Sequence, residues 1–134
     1  MKFPVAVKQI SAQMYEARVL DIPDAGVISG RSVDEALDKT QQHLRELIEV
    51  RLKEGDAVPS PRRIDDHRKE YDDNQWVWSL VNVDVVKLLG KCKRINITFP
   101  ELLMERIDNY SNRHGSSRSA VLAEAALSYI SREH

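Results

Sequence analysis

Three polar residues in the last third of the chain, Arg94, Asn96 and Thr98, alternate with three apolar ones, Ile95, Ile97 and Phe99. A period of two places each set on one face of a strand. The polar set is chemically matched to base edges. An arginine fork donates two hydrogen bonds to guanine, an asparagine amide pairs with adenine, and a threonine meets a base edge or a thymine methyl. Further on, Ser117, Arg118 and Ser119 are placed to open a helix. The first amides of a helix carry the positive end of its dipole and can hold a backbone phosphate. One set would specify sequence and the other would fix position.

Other reactive residue types do not converge. Asp21, Asp24, Asp34 and Asp38 suggest a metal-dependent nuclease, yet Asp34 and Asp38 fall on the wet side of a helix and nothing gathers four acids, so all four read as solvated charge. His43, His67, His114 and His134 have no partner at ligand spacing, and neither a metal nor another cofactor is expected. The single cysteine, Cys92, has no intrachain partner for a disulfide and reads as a reduced thiol. With no activated nucleophile and no paired acid and base, the sequence does not describe an enzyme.

The elements that position the polar ribbon follow from its neighbours. Pro100 is tolerated in the first turn of a helix, and Leu103, Met104, Ile107 and Tyr110 then share one stripe until His114-Gly115. Ser117 is placed to cap a second helix, whose inner side draws on Val121, Leu122, Ala125, Ala126 and Tyr129. A lone strand followed by two helices can neither pair that strand internally nor bury enough apolar surface to fold alone. A second copy completes it, with the strands antiparallel about a two-fold axis. Ile95, Ile97, Phe99, Leu103, Ile107, Val121 and Leu122 then form a shared core, and Arg94, Asn96 and Thr98 face outward as a ribbon of the width of the major groove.

The preceding residues read as a separate α+β domain. Phe3 to Ile10, Met14 to Leu20 and Val27-Ile28 have strand character, interrupted by Pro23-Asp24-Ala25-Gly26. Ser32-Val33-Asp34-Glu35 is a capping box, and Val33, Ala36, Leu37, Thr40, Leu44, Leu47, Ile48 and Leu52 make one helical stripe that ends at Gly55. Glu35 with Lys39 and Glu49 with Lys53 pair across a turn. Asp56 to Asn74 is highly charged, contains Pro59 and Pro61 and shows no apolar periodicity, so it is expected as a long exposed connection. Trp76 to Val83 is strongly β-prone and should complete the sheet. Asp84 to Leu89 adds a helical turn before Gly90, and Lys91-Cys92-Lys93 is read as the boundary between domains 1–90 and 91–134.

Charge follows this division. The chain carries a net −1, but residues 91–134 hold seven Lys or Arg against five Asp or Glu, so any nucleic-acid contact should lie there. No apolar run approaches the ~20 residues that span a bilayer, and Lys8 interrupts the N-terminus, so a cytoplasmic protein is expected.

Arg94-Ile95-Asn96-Ile97-Thr98-Phe99-Pro100-Glu101, followed by Gly115-Ser116-Ser117-Arg118-Ser119-Ala120, resembles the ribbon-helix-helix family of bacterial repressors. The short sheet, the helix opened by Gly30-Arg31-Ser32-Val33-Asp34-Glu35 and the Lys53 to Pro61 segment resemble the N-terminal domain of HicB antitoxins. That resemblance implies a partial ribonuclease H-like fold without activity. It also implies a HicA-type, RNA-cleaving toxin as partner, covered at its catalytic site, and repression of the chain's own operon through operator DNA. Trp76, Trp78, Arg62 and Arg63 are the candidate toxin contacts, with a packed core role for the tryptophans equally open. A dimer is expected through the C-terminal unit, with a tetramer as a further arrangement. The alternative function is a stand-alone repressor whose N-terminal domain senses a small molecule or oligomerises.

Overall fold

The computed structural model describes residues 1–71 and 75–131, and the chain divides into two compact units, Met1–Val85 and Val86–His134. The sequence-based boundary after residue 90 lies a few residues beyond this division.

The first unit is a four-stranded antiparallel sheet in the order β3-β2-β1-β4, where β1 is Lys2–Ser11, β2 Met14–Val19, β3 Val27–Gly30 and β4 Trp76–Asn82. The central strand β1 pairs on one side with β2, Val5 opposite Val19, and on the other with β4, Lys2 opposite Asn82. Helix α1, Val33–Glu54, packs on one face of this sheet. The register puts Phe3, Val5, Val7, Ala17, Val19 and Val81 on that face, where all are buried against the α1 stripe of Ala36, Thr40, Leu44 and Ile48.

Both ends of α1 are set by local chemistry the sequence announces. Ser32 Oγ accepts the Glu35 amide at 3.0 Å, and Gly55 takes the left-handed conformation that closes the helix. Lys39 sits 3.0 Å from Glu35 and draws its carboxyl below the ordinary range. Gly30 allows the helix its close approach, because a Cβ there would lie 2.6 Å from the Ala36 amide nitrogen.

The Asp56 to Asn74 segment is not a featureless exposed connection. Val58 is buried, and Ile64–Glu70 forms a further helix, α2, whose His67 is buried. The expectation failed because a helix of two turns presents one or two inward residues, too few to show a period, and here the principal one is polar. Asp72, Asp73 and Asn74 lie outside the described residues. The chain then runs through β4 into a short helix, α3, Val85–Leu88, followed by Gly90 with φ of 108°.

The second unit contains helices α4, Glu101–His114, and α5, Arg118–Ser131, joined through Gly115 in the left-handed conformation. Residues 91–100 are in neither helix nor strand. A ladder needs a second strand, and among the described residues this segment has none.

Candidate functional site

Arg94, Asn96 and Thr98 are all exposed, and no hydrogen bond or ion pair engages their side chains among the described residues. Their apolar neighbours are also uncovered. Ile95 is 67% and Ile97 58% exposed, and only Phe99 of the three is half-buried. In the helices that follow, Leu102, Leu103, Tyr110, Tyr129 and Ile130 are exposed, while Ile107, Val121 and Leu122 are half-buried. Among the described residues of this unit, Ser111 alone is buried, its hydroxyl returned to the Ile107 carbonyl at 2.9 Å. Apolar exposure of this extent in a two-helix unit marks a surface suited to a partner.

At the start of α5, Ser117 Oγ accepts the Ala120 amide at 3.1 Å, which is the cap expected of it. The Arg118 guanidinium turns back to α4 and donates from Nε and Nη2 to the two Asp108 oxygens at 2.8 and 2.9 Å. That contact holds the Asp108 carboxyl below its ordinary range and raises Arg118 further. Ser119 is exposed beside it.

The four residues suggested as toxin contacts lie in the first unit. Trp76 pairs with Lys8 and Trp78 with Ala6, so both tryptophans are on the sheet face opposite α1, and both are half-buried. Trp76 is flanked by cations, Lys8 Nζ at 5.4 Å and the Arg18 guanidinium at 5.7 Å from the ring centre. Trp78 lies parallel to the His67 ring at 6.3 Å. Arg62 pairs with Glu70 at 3.1 Å and Arg63 with Asp65 at 3.7 Å, and both arginines border a shallow depression with Lys2 and Leu80. The structure thus gathers Trp78, Arg62 and Arg63 around one helical strap.

One reading of the acids needs correction: Asp21 is not solvated charge. His67 Nε2 donates to Asp21 Oδ2 at 3.0 Å, with each side chain only 3% exposed, and Asp21 Oδ1 accepts the Arg62 amide at 3.0 Å. Two groups so far apart in sequence leave no local spacing by which to pair them. Asp24 also has a partner, Arg51 at 2.8 Å.

The remaining described histidines serve backbone carbonyls. His43 Nε2 donates to Ala25 at 3.1 Å and His114 Nδ1 to Tyr110 at 2.9 Å, while His134 lies outside the described residues. Among the described residues no three His, Cys, Asp or Glu side chains converge as metal ligands, and no helix is long and apolar enough to cross a membrane. Cys92 is exposed and unpaired.

This arrangement, an antiparallel α+β unit followed by a two-helix unit, is that of solved bacterial antitoxins. The chain is 30% identical to the Burkholderia pseudomallei antitoxin HicB over 95% of its own length and 96% of that chain, with a TM-score of 0.78. The antitoxin HicB3 is 25% identical across 97% and 98% of the two chains, with a TM-score of 0.69. An uncharacterised 14.9 kDa protein from the rep-hol intergenic region of Haemophilus phage HP1 is 28% identical over 97% of this chain and 98% of its own. The model of the HicB-like antitoxins of bacterial toxin-antitoxin systems matches residues 3–126, and the chain belongs to that family.

Proposed function

We propose that this chain neutralises an RNA-cleaving, HicA-type toxin through its N-terminal domain, residues 1–90, and represses its own operon through a ribbon-helix-helix domain, residues 91–134. One observation carries this reading: a chain matched by the HicB-like antitoxin family over residues 3–126 ends in a unit whose Ile95 and Ile97 have no cover of their own.

In the C-terminal domain the Arg94–Phe99 segments of two copies pair as antiparallel strands. That pairing satisfies their backbone groups and places Ile95, Ile97, Phe99, Leu103, Ile107, Val121 and Leu122 in a common core. Arg94, Asn96 and Thr98 enter the major groove and read bases, and the backbone amides at Ser117, Arg118 and Ser119 hold flanking phosphates. The free, exposed state of the first three supports this assignment.

The N-terminal domain is partial ribonuclease H-like and acts by occlusion, with no catalysis of its own. Trp76, Trp78, Arg62 and Arg63 contribute to the toxin-facing surface, where aromatic and arginine side chains are the usual anchors. The protein works in the cytoplasm, as a dimer or a dimer of dimers.

The test is RNA cleavage by the product of the short reading frame next to this gene, with and without the full chain. Loss of cleavage on addition supports the antitoxin mechanism. Undiminished cleavage favours a stand-alone repressor. For the DNA half, replacing Arg94, Asn96 and Thr98 together with alanine should abolish preference for the operator over random duplex and leave the dimer intact. Retained preference excludes these residues as base readers.

A further inference from the structure

Arg118 is the first residue of α5, yet its side chain is committed to α4. The two parallel N–H···O bonds to Asp108, at 2.8 and 2.9 Å, reproduce the fork that an arginine makes with a phosphate. Beside them, among the described residues, the amides of Arg118 and Ser119 have no acceptor, because the Ser117 cap takes the Ala120 amide. The Asp108 and Arg118 side chains are 39% and 55% exposed, so the pair stands open to solvent and to an arriving anion.

We propose that Asp108 is an internal substitute for a DNA phosphate. Its carboxylate occupies the Arg118 guanidinium in the free protein and withholds that cation from the phosphate contacts at the opening of α5. This role for Asp108 rests on the DNA-binding reading above. It makes Asp108 a brake: one cation in each protomer, two in a dimer, is neutralised before DNA arrives. The affinity for DNA, and its dependence on salt, are then lower than the count of arginines implies.

The test is the salt dependence of duplex binding by the full chain, read by fluorescence anisotropy on a labelled random-sequence duplex, since phosphate contacts are blind to sequence. Each phosphate newly neutralised steepens the plot of log affinity against log salt by about 0.9, so Asp108→Asn in both protomers should steepen it by about 1.8. Arg118→Ala should leave the wild-type slope unchanged and, in the Asp108→Asn background, should remove the gain. Circular dichroism checks that Asp108→Asn keeps its helices, and Arg118→Ala alone decides the matter where it does not. An unchanged slope in folded Asp108→Asn, or a shallower one in Arg118→Ala, overturns the brake and leaves DNA binding standing. Failure of the wild-type chain to bind duplex at low salt overturns the DNA-binding reading, and the brake with it.

Discussion

His67 Nε2 lies 3.0 Å from Asp21 Oδ2, a contact between residues 46 positions apart that fastens α2 to the sheet. The carboxylate fixes the imidazole as the Nε2–H tautomer, and its second oxygen takes the Arg62 amide, so one side chain holds the strap at two points. Among the described residues His67 Nδ1 is buried with no partner.

Asp21→Ala removes both contacts at once. A hydrogen bond to a charged, buried group contributes roughly 1.5–3 kcal/mol. Urea denaturation should therefore show a loss of about that size, and amide exchange across residues 62–70 should accelerate. An unchanged midpoint would mean that Trp78 stacking and Val58 burial hold the strap without Asp21.

Gly30→Ala tests the approach of α1 to the sheet. The added methyl would meet Ala36 N at 2.6 Å, Ala36 Cα at 2.8 Å and Ala36 Cβ at 3.1 Å, so the helix must shift outward. Overpacking of this kind costs about 1–3 kcal/mol. A thermal melt should fall accordingly, and a neutral outcome would show that the α1 seat is pliant.

Local chemistry explains which parts of this fold were legible in the sequence. Ser32, the Val33 to Leu52 stripe and Gly55 define α1 because caps and helical periods act over a few residues. The Pro100 opening of α4 and the Ser117 cap of α5 are visible for the same reason. The Asp21 to His67 contact was hidden, since a buried polar pair is specified by the tertiary fold and its residues resemble surface charge when read singly. The Arg118 to Asp108 pair was equally opaque, because it depends on how α4 and α5 meet at Gly115. The exposed polar set of Arg94, Asn96 and Thr98 was legible as an alternation of side chains.

Ile97→Asp tests the dimer proposed for the C-terminal unit and should dissociate it. A carboxylate at a position assigned to that proposed core must either be buried unpaired or hold the two copies apart. Sedimentation equilibrium should show dimer affinity weakened by at least about a hundredfold, roughly 2.8 kcal/mol, with the sheet unit still folded. A dimer of wild-type affinity would place self-association elsewhere in the chain.

Asp108 should titrate below an ordinary aspartate, chiefly through its hydrogen bonds to Arg118. A carboxyl depressed in the folded state stabilises it above the unfolded-state value, and that contribution is lost as pH falls through the lowered folded value. Carboxyl NMR should find the depressed midpoint in the wild-type chain and its return to the ordinary aspartate range in Arg118→Ala. An ordinary midpoint in both would mean that the pair is not populated in solution.

The pairing of Lys2 with Asn82 has a consequence for biosynthesis. During translation, β1 emerges first, finds β2 at once through the short turn between Ser11 and Met14, and then waits for β4. Until Trp76–Asn82 leaves the ribosome, one edge of β1 offers its backbone groups to any passing strand, and closing so long a loop is slow. The nascent N-terminal unit is consequently most exposed to mispairing and proteolysis in the interval before its last strand appears, and maturation of the antitoxin is timed by synthesis through residue 82.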